Sequence, residues 1–381
     1  MSNQWKLLTQ DLCIRILAVL VLAIAFLESP TFAADPASFA DPERAAALPY
    51  GPWPLPANPD SSNRYSGNPI AIRLGRALFF DEGLSRFGAL SCARCHKPEK
   101  AWTDGRTRAS AAAELDRNTP ALFNLRHTSW YGWDGGADSL WMQSIRPLLD
   151  PREMAASPTH VRNHLTKTPA LAADFRRLSG LDASRVRPER ALVIAAKALA
   201  AFQETLVTGR TEFDDFRDAL TRNDRDALTR YPAEARRGFA LFAGRGGCSA
   251  CHAGPLFTDG SFHDVGVGTT GPAGRIDTGH AGGREKLKAS PFTRLGPYSD
   301  RRRDAMALRT RSALREASQA GAFRTPSLRN VALTAPYMHD GSAATLADAI
   351  RRHRTTPTDL TDAEIDALVA FLATLSARQK P

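Results

Sequence analysis

Cysteine is scarce in this 381-residue chain, which holds five, and their placement excludes a disulfide framework. Cys13 lies in the apolar N-terminal stretch, and the other four fall in two C-x-x-C-H runs, so none is left for a structural bridge. Convincing strand alternation is also missing, which excludes an all-β architecture. No long apolar run is present either: the longest, residues 16–27, falls short of the roughly 20 residues that a membrane-spanning helix needs. Acid excess is lacking as well, with 40 Asp+Glu against 50 Lys+Arg and a net charge of +10, so an acidic partner or plain solubility explains the balance better than a cationic ligand. A content of 43% hydrophobic and 24% charged residues is that of a folded soluble protein and argues against disorder.

What is present begins with Cys92-Ala93-Arg94-Cys95-His96 and Cys248-Ser249-Ala250-Cys251-His252. Two cysteines about one helical turn apart can each close a thioether to a porphyrin vinyl, and the following histidine reaches the iron. The rival, a zinc site built from two C-x-x-C pairs, wants pairs roughly 15–20 residues apart and no histidine after each. Two covalently bound haem c groups are therefore expected, on Cys92, Cys95 and His96 and on Cys248, Cys251 and His252. Lys6 and Arg15, the apolar run and Thr31-Phe32-Ala33 have the layout of a cleaved signal over residues 1–33, with an uncleaved anchor as the alternative. Sec export to an oxidising periplasm follows, with no stable membrane insertion after cleavage and no nucleic acid as partner.

Residues 34–67 read as a Pro-rich arm on the surface, residues 68–231 as a first haem domain and residues 232–381 as a second. An internal repeat supports the division: Gly75-Arg76-Ala77-Leu78-Phe79 precedes the first motif and Gly238-Phe239-Ala240-Leu241-Phe242 the second, with Thr103-Asp104-Gly105 and Thr258-Asp259-Gly260 following. Helical periodicity starts at Pro69, continues in the Ala/Leu-rich stretch 187–207, and returns after the capping box Thr361-Asp362-Ala363-Glu364. The fold class is mainly α, with two cytochrome c-like haem domains. Residues 275–319 show no period and carry eleven Lys/Arg against five acids; they read as a basic loop, solvated or docking an acidic protein. For the sixth position of the second haem, Met338, His339 and His353 are all candidates, and composition alone favours Met338 because a Met/His pair is common in c-type cytochromes.

With Phe323-Arg324-Thr325-Pro326-Ser327-Leu328-Arg329-Asn330-Val331 leading to Pro336-Tyr337-Met338-His339-Asp340-Gly341, the chain resembles the bacterial di-haem cytochrome c peroxidase/MauG superfamily from about residue 68 to residue 377. The resemblance implies a first haem where H2O2 reacts, a second that relays electrons, and one Ca2+ between them. Classical members carry a distal histidine sixteen residues after the first motif, where this chain has Ala112. An open first iron, as in the MauG-like branch, is the implication. Trp133-Asp134-Gly135 resembles the family's Trp-Asp-Gly, whose tryptophan lies between the haems, and Gln143 and Glu153 then fall at its distal-pocket positions. The family's second-haem ligand lies fourteen residues beyond the histidine of Tyr-x-His-Asp-Gly, which points to His353 and to the His/His members typified by MbnH and BthA. Asn118, Thr334 and Pro336 would supply oxygens to Ca2+.

The function so implied is a periplasmic oxidoreductase that uses H2O2 to form a high-valent di-haem state and to oxidise an aromatic side chain, such as a tryptophan, of an acidic partner protein. The cluster Trp130, Trp133 and Trp141 adds to that expectation. The alternatives are a peroxidase that reduces H2O2 with electrons from a small cytochrome or cupredoxin, and a non-catalytic electron-transfer cytochrome.

Overall fold

The structure, a computed structural model, describes residues 40–268, 270–271, 274–316, 320–354 and 359–377. The signal expected over residues 1–33 lies outside them. Residues 45–381 make one compact unit that contains both haem motifs around two separate apolar cores.

Helix α1 (Ala40–Ala47) opens the described chain. In α2 (Pro69–Phe79), Pro69 presets the first turn, and the Asn68 side chain accepts from the amides of Ile70 and Ala71, meeting two otherwise unpaired donors. The buried face Ala71, Leu74, Leu78 and Phe79 packs on α6. Helices α3 (Leu140–Leu149), α4 (Pro158–Lys167) and α5 (Pro169–Ser179) come next, and α6 (Pro188–Gln203) is buried all round from Ala191 to Gln203. Its alanines let α2 approach so closely that a Cβ on Gly75 would stand 1.9 Å from the Ala198 carbonyl oxygen.

The second core repeats this device. Helices α7 (Glu212–Arg222), α8 (Arg225–Thr229) and α9 (Ala233–Ala243) lead to the second motif, and β1 (Phe262–His263) follows it. Helices α10 (His280–Ala289) and α11 (Ala305–Ala313) precede β2 (Phe323–Arg324), which pairs antiparallel with β1. The chain closes with α12 (Leu346–Arg352) and α13 (Asp362–Ala373), the latter started by the expected capping box between Thr361 and Glu364. Helix α9 meets α13 at Gly238, where a Cβ would lie 1.9 Å from the Ala367 oxygen. Phe213, Phe216 and Tyr231 belong to this second core.

Two sequence readings are corrected. The arm is not confined to the surface: its prolines at 52, 54, 56 and 59 are exposed, but Tyr50 stacks on Phe257 at 4.7 Å between ring centroids and Trp53 is 3% exposed. An aromatic ring loses more by staying in water than the extended chain loses by being pinned. Residues 275–319 are not a plain loop, because they form α10 and α11, with Leu287 in the first core and Arg284 and Arg294 buried. Residues 317–319 lie outside the described part.

Candidate active site: two haem cavities joined at Trp133

Each C-x-x-C-H run forms a short 3-10 turn, Cys92–Arg94 and Cys248–Ala250, that opens onto a cavity. No disulfide joins the four cysteines. The His96 Nδ1–H donates to the Trp102 carbonyl at 3.0 Å, and the His252 Nδ1–H donates to the Phe257 carbonyl at 3.0 Å. That second contact fixes each ring and leaves Nε2 for iron. Burial lowers the pKa of both imidazoles, that of His252 to about 4, so both rings are neutral and able to ligate. The residues fit covalent haem in both halves.

The first cavity, about 790 Å3, is walled by Cys92, Cys95, His96, Trp133, Gln143 and Glu153. Among the described residues, His96 is the one histidine that lines it. Ala112 is exposed and does not line it; Tyr131 and Met154 do, and both pack into the first core. Gln143 is carried on α3, whose cap is the Ser139 hydroxyl accepting from the Met142 amide. Glu153 follows that helix in a tight turn, its amide donating to the Asp150 carbonyl at 3.0 Å. Burial first, and Asp150 second, push the Glu153 carboxyl up to about 7 against the pull of Arg146 and Arg152.

The second cavity, about 340 Å3, is walled by Cys248, Cys251, His252, Met338 and His353. The rings of His252 and His353 face each other at 6.5 Å between centroids. A metal held by two imidazole nitrogens at about 2 Å each sets centroids roughly 6 Å apart, so the pair is spaced to hold one iron. The His353 Nδ1–H donates to the Ala349 carbonyl at 2.7 Å, the same fixing contact as in the proximal rings. His339 also lines the cavity, but it is buried and stacked on Phe323 at 3.5 Å, with its carbonyl accepting from the Asn118 amide. Met338 lines the same cavity.

Trp133 lines both cavities, and its indole N–H donates to the Asn118 carbonyl at 2.9 Å. Asn118, Thr334 and Pro336 all line the second cavity. The expected tryptophan cluster does not form a unit here. Trp141 is fully buried with its N–H on the Ser62 hydroxyl and Lys197 over its ring, and neither it nor Trp130 lines a cavity.

Sequence reasoning missed several residues that hold this arrangement. Asp134 is fully buried against Arg117 at 2.9 Å, Lys286 at 2.8 Å and Arg146 at 3.5 Å. Burial alone would raise its pKa, but the three cations hold it well below the carboxylate range. Arg146 also donates to the Gln143 side-chain oxygen at 3.2 Å, which orients that amide. Arg324 lines both cavities and was read only as part of a motif. A longer internal repeat would have exposed it: residues 118–137 match 324–343 at a constant offset, Asn118-Thr119-Pro120 with Arg324-Thr325-Pro326 and Tyr131 with Tyr337. Asn124 and Asn330 both sit at φ +63°, and the bridges Tyr131–Ala137 and Tyr337–Ala343 coincide. In this register Trp133 answers to His339. The halves interlock reciprocally, the Asn118 amide on the His339 carbonyl and the Arg324 amide on the Trp133 carbonyl, each at 2.8 Å.

Comparison with known proteins agrees with this geometry. Residues 69–222 match the family model described as di-haem cytochrome c peroxidase. The chain is 38% identical over 337 residues to methylamine utilization protein MauG of Methylorubrum extorquens, covering 84% of this chain and 82% of that one. It is 31% identical to cytochrome-c peroxidase IdrP2 of a Pseudomonas species, covering 82% of each. Among solved structures, the di-haem peroxidase BthA of Burkholderia thailandensis superposes with a TM-score of 0.65 at 25% identity, over 81% of this chain and 86% of that one. A MauG-like protein associated with microbial copper homeostasis gives 0.62 at 26%, over 86% and 96%. With two haem-binding cavities built on one repeated frame and relatives matched over most of its length, the chain belongs to the di-haem cytochrome c peroxidase/MauG family and is a peroxidase-type oxidoreductase carrying two haem c groups.

Proposed function

We propose that this chain is an exported, periplasmic enzyme that uses H2O2 to oxidise an aromatic side chain of a partner protein. The observation that carries this reading is the asymmetry of the two cavities: one imidazole with Gln143 and Glu153 in the first, two facing imidazoles in the second. When bound, the haem irons supply the redox chemistry, taking two oxidising equivalents from H2O2. The protein's part is to move protons and set the path. Glu153, half ionised near neutrality, takes the proton from the inner peroxide oxygen and returns it to the outer one, while Gln143, held by Arg146, orients the bound molecule. Trp133 spans the two cavities as the charge carrier. Asn118, Thr334 and Pro336, which line one cavity, would offer oxygens to Ca2+, and the Asn118 carbonyl would link the ion to the Trp133 indole.

The test is direct. The resting ferric protein is expected to show a high-spin signal from the first site and to react with H2O2 without prior reduction. Incubation with H2O2 and a candidate acidic partner protein should add oxygen to that partner, read by mass spectrometry. A resting protein low-spin at both irons, or peroxide consumed only with a reduced small cytochrome while the partner stays unmodified, would overturn the reading in favour of the alternatives. His353→Met separately tests the second site: a thioether should raise the potential of that haem and leave peroxide binding at the first unchanged.

A further inference from the structure

Arg324 is a cation without a carboxylate. Among the described residues no Asp or Glu pairs with it, whereas three other arginines close to the cavities are answered: Arg117 by Asp134 and Asp277, Arg146 by Asp134, Arg329 by Asp214. Its Nε–H donates to the Gly132 carbonyl at 3.2 Å, and one terminal nitrogen reaches the Thr325 carbonyl only at 3.4 Å. Most of the guanidinium's five donors are thus unspent. Its environment is apolar enough to lower its pKa to about 10, and what surface it keeps is on the walls of the two haem cavities. A buried charge that pairs with nothing costs several kcal/mol, so such a residue is retained where a bound anion completes it.

We infer that Arg324 is completed by the propionate carboxylates of the two haems, one guanidinium shared between both sites. Haem is the group that carries carboxylates into these cavities, and the planar fork of Arg suits two carboxylates at once. The pseudo-equivalent position in the first half is the neutral Asn118, so the repeat provides this cation once, not twice. Its backbone amide is bonded to the Trp133 carbonyl and its side chain to the Gly132 carbonyl, which places the charge on the segment that carries the bridging indole. A bare cation there would oppose removal of an electron from Trp133, and the carboxylates cancel it. Arg324 is therefore a positioning residue that sets the potentials of both haems together.

The experiment is spectroelectrochemical titration of the haem-loaded, full-length protein. Arg324→Gln should lower both midpoint potentials, each by at least about 59 mV, a tenfold change in a one-electron equilibrium; Arg324→Lys, which keeps the charge, should recover most of that fall. Both potentials unchanged would overturn the inference, and a fall in one alone would overturn the sharing. If the Gln variant does not load haem, resonance Raman of the Lys variant decides: the propionate bending bands of both haems should move relative to the parent, and unmoved bands refute the contact. These readouts do not depend on whether a partner protein is oxidised, so they succeed or fail independently of the function proposed above.

Discussion

At the scale of single residues, Glu153 shows how position changes chemistry. On a surface it would be ionised throughout the neutral range, but next to Asp150 in the wall of the first cavity its carboxyl is pushed up to about 7. The reaction with H2O2 should accordingly quicken as pH rises through about 7, because the carboxylate is the form that accepts a proton. Stopped-flow measurement of Glu153→Gln should find a rate lower by about 10²–10⁴-fold and flat across that range. Stability should move the opposite way. The folded state holds this proton to a higher pH than the unfolded chain does, so its contribution is full below the ordinary carboxyl range and lost as pH rises through about 7. The Gln variant should lack that slope in denaturant titrations.

Between elements, the decisive contacts are the two crossings of helix on helix. Gly75 on α2 and Gly238 on α9 occupy corresponding places in the repeat, and each faces a backbone oxygen that no rotamer change can move. Gly75→Ala and Gly238→Ala should each cost about 1–3 kcal/mol through forced separation of the pair. Denaturant midpoints of the haem-loaded variants check this, and since each glycine sits in a different core, the double variant should be close to additive. A parent-like midpoint for either variant would mean that the crossing yields without loss.

For the whole molecule, charge is less freely available than the count of +10 suggests. Within residues 275–319, Arg275, Lys286, Lys288 and Arg294 are tied to Asp116, Asp134, Glu285 and Asp60. Arg301, Arg302, Arg303, Arg311 and Arg315 remain exposed around α11. If they steer an acidic partner, its association rate should fall with added salt, since such fields are screened over about 8 Å at physiological ionic strength. Reversing Arg301, Arg302 and Arg303 to Glu should slow association and flatten that salt dependence, with both readable by surface plasmon resonance. An unchanged rate would move the docking surface elsewhere.

By itself the sequence determined what depends on covalent spacing and near neighbours. Cys92, Cys95 and His96, with their second copy, specify haem attachment because the chemistry needs no distant residue, and Asn68-Pro69 or Thr361 with Glu364 start helices through contacts within one turn. The tertiary structure decided what depends on distance across the chain. For the sixth position of the second haem, residue type puts Met338 ahead and the family register points to His353; the fold adds the distance, setting His353 opposite His252 and laying His339 on Phe323. The Trp133-Asp134-Gly135 motif marks Trp133 in the sequence but says nothing against Trp130 and Trp141; of the three only Trp133 reaches the cavities, on a loop pinned by the Arg324 amide from the other half. Arg324 itself reads as one more surface cation among 50 basic residues, and stands out only when folding places it on the walls of both cavities with no ion pair among the described residues. Local pattern carries no information on which charges are left unanswered; that is settled by packing, where desolvation makes each pairing costly to omit.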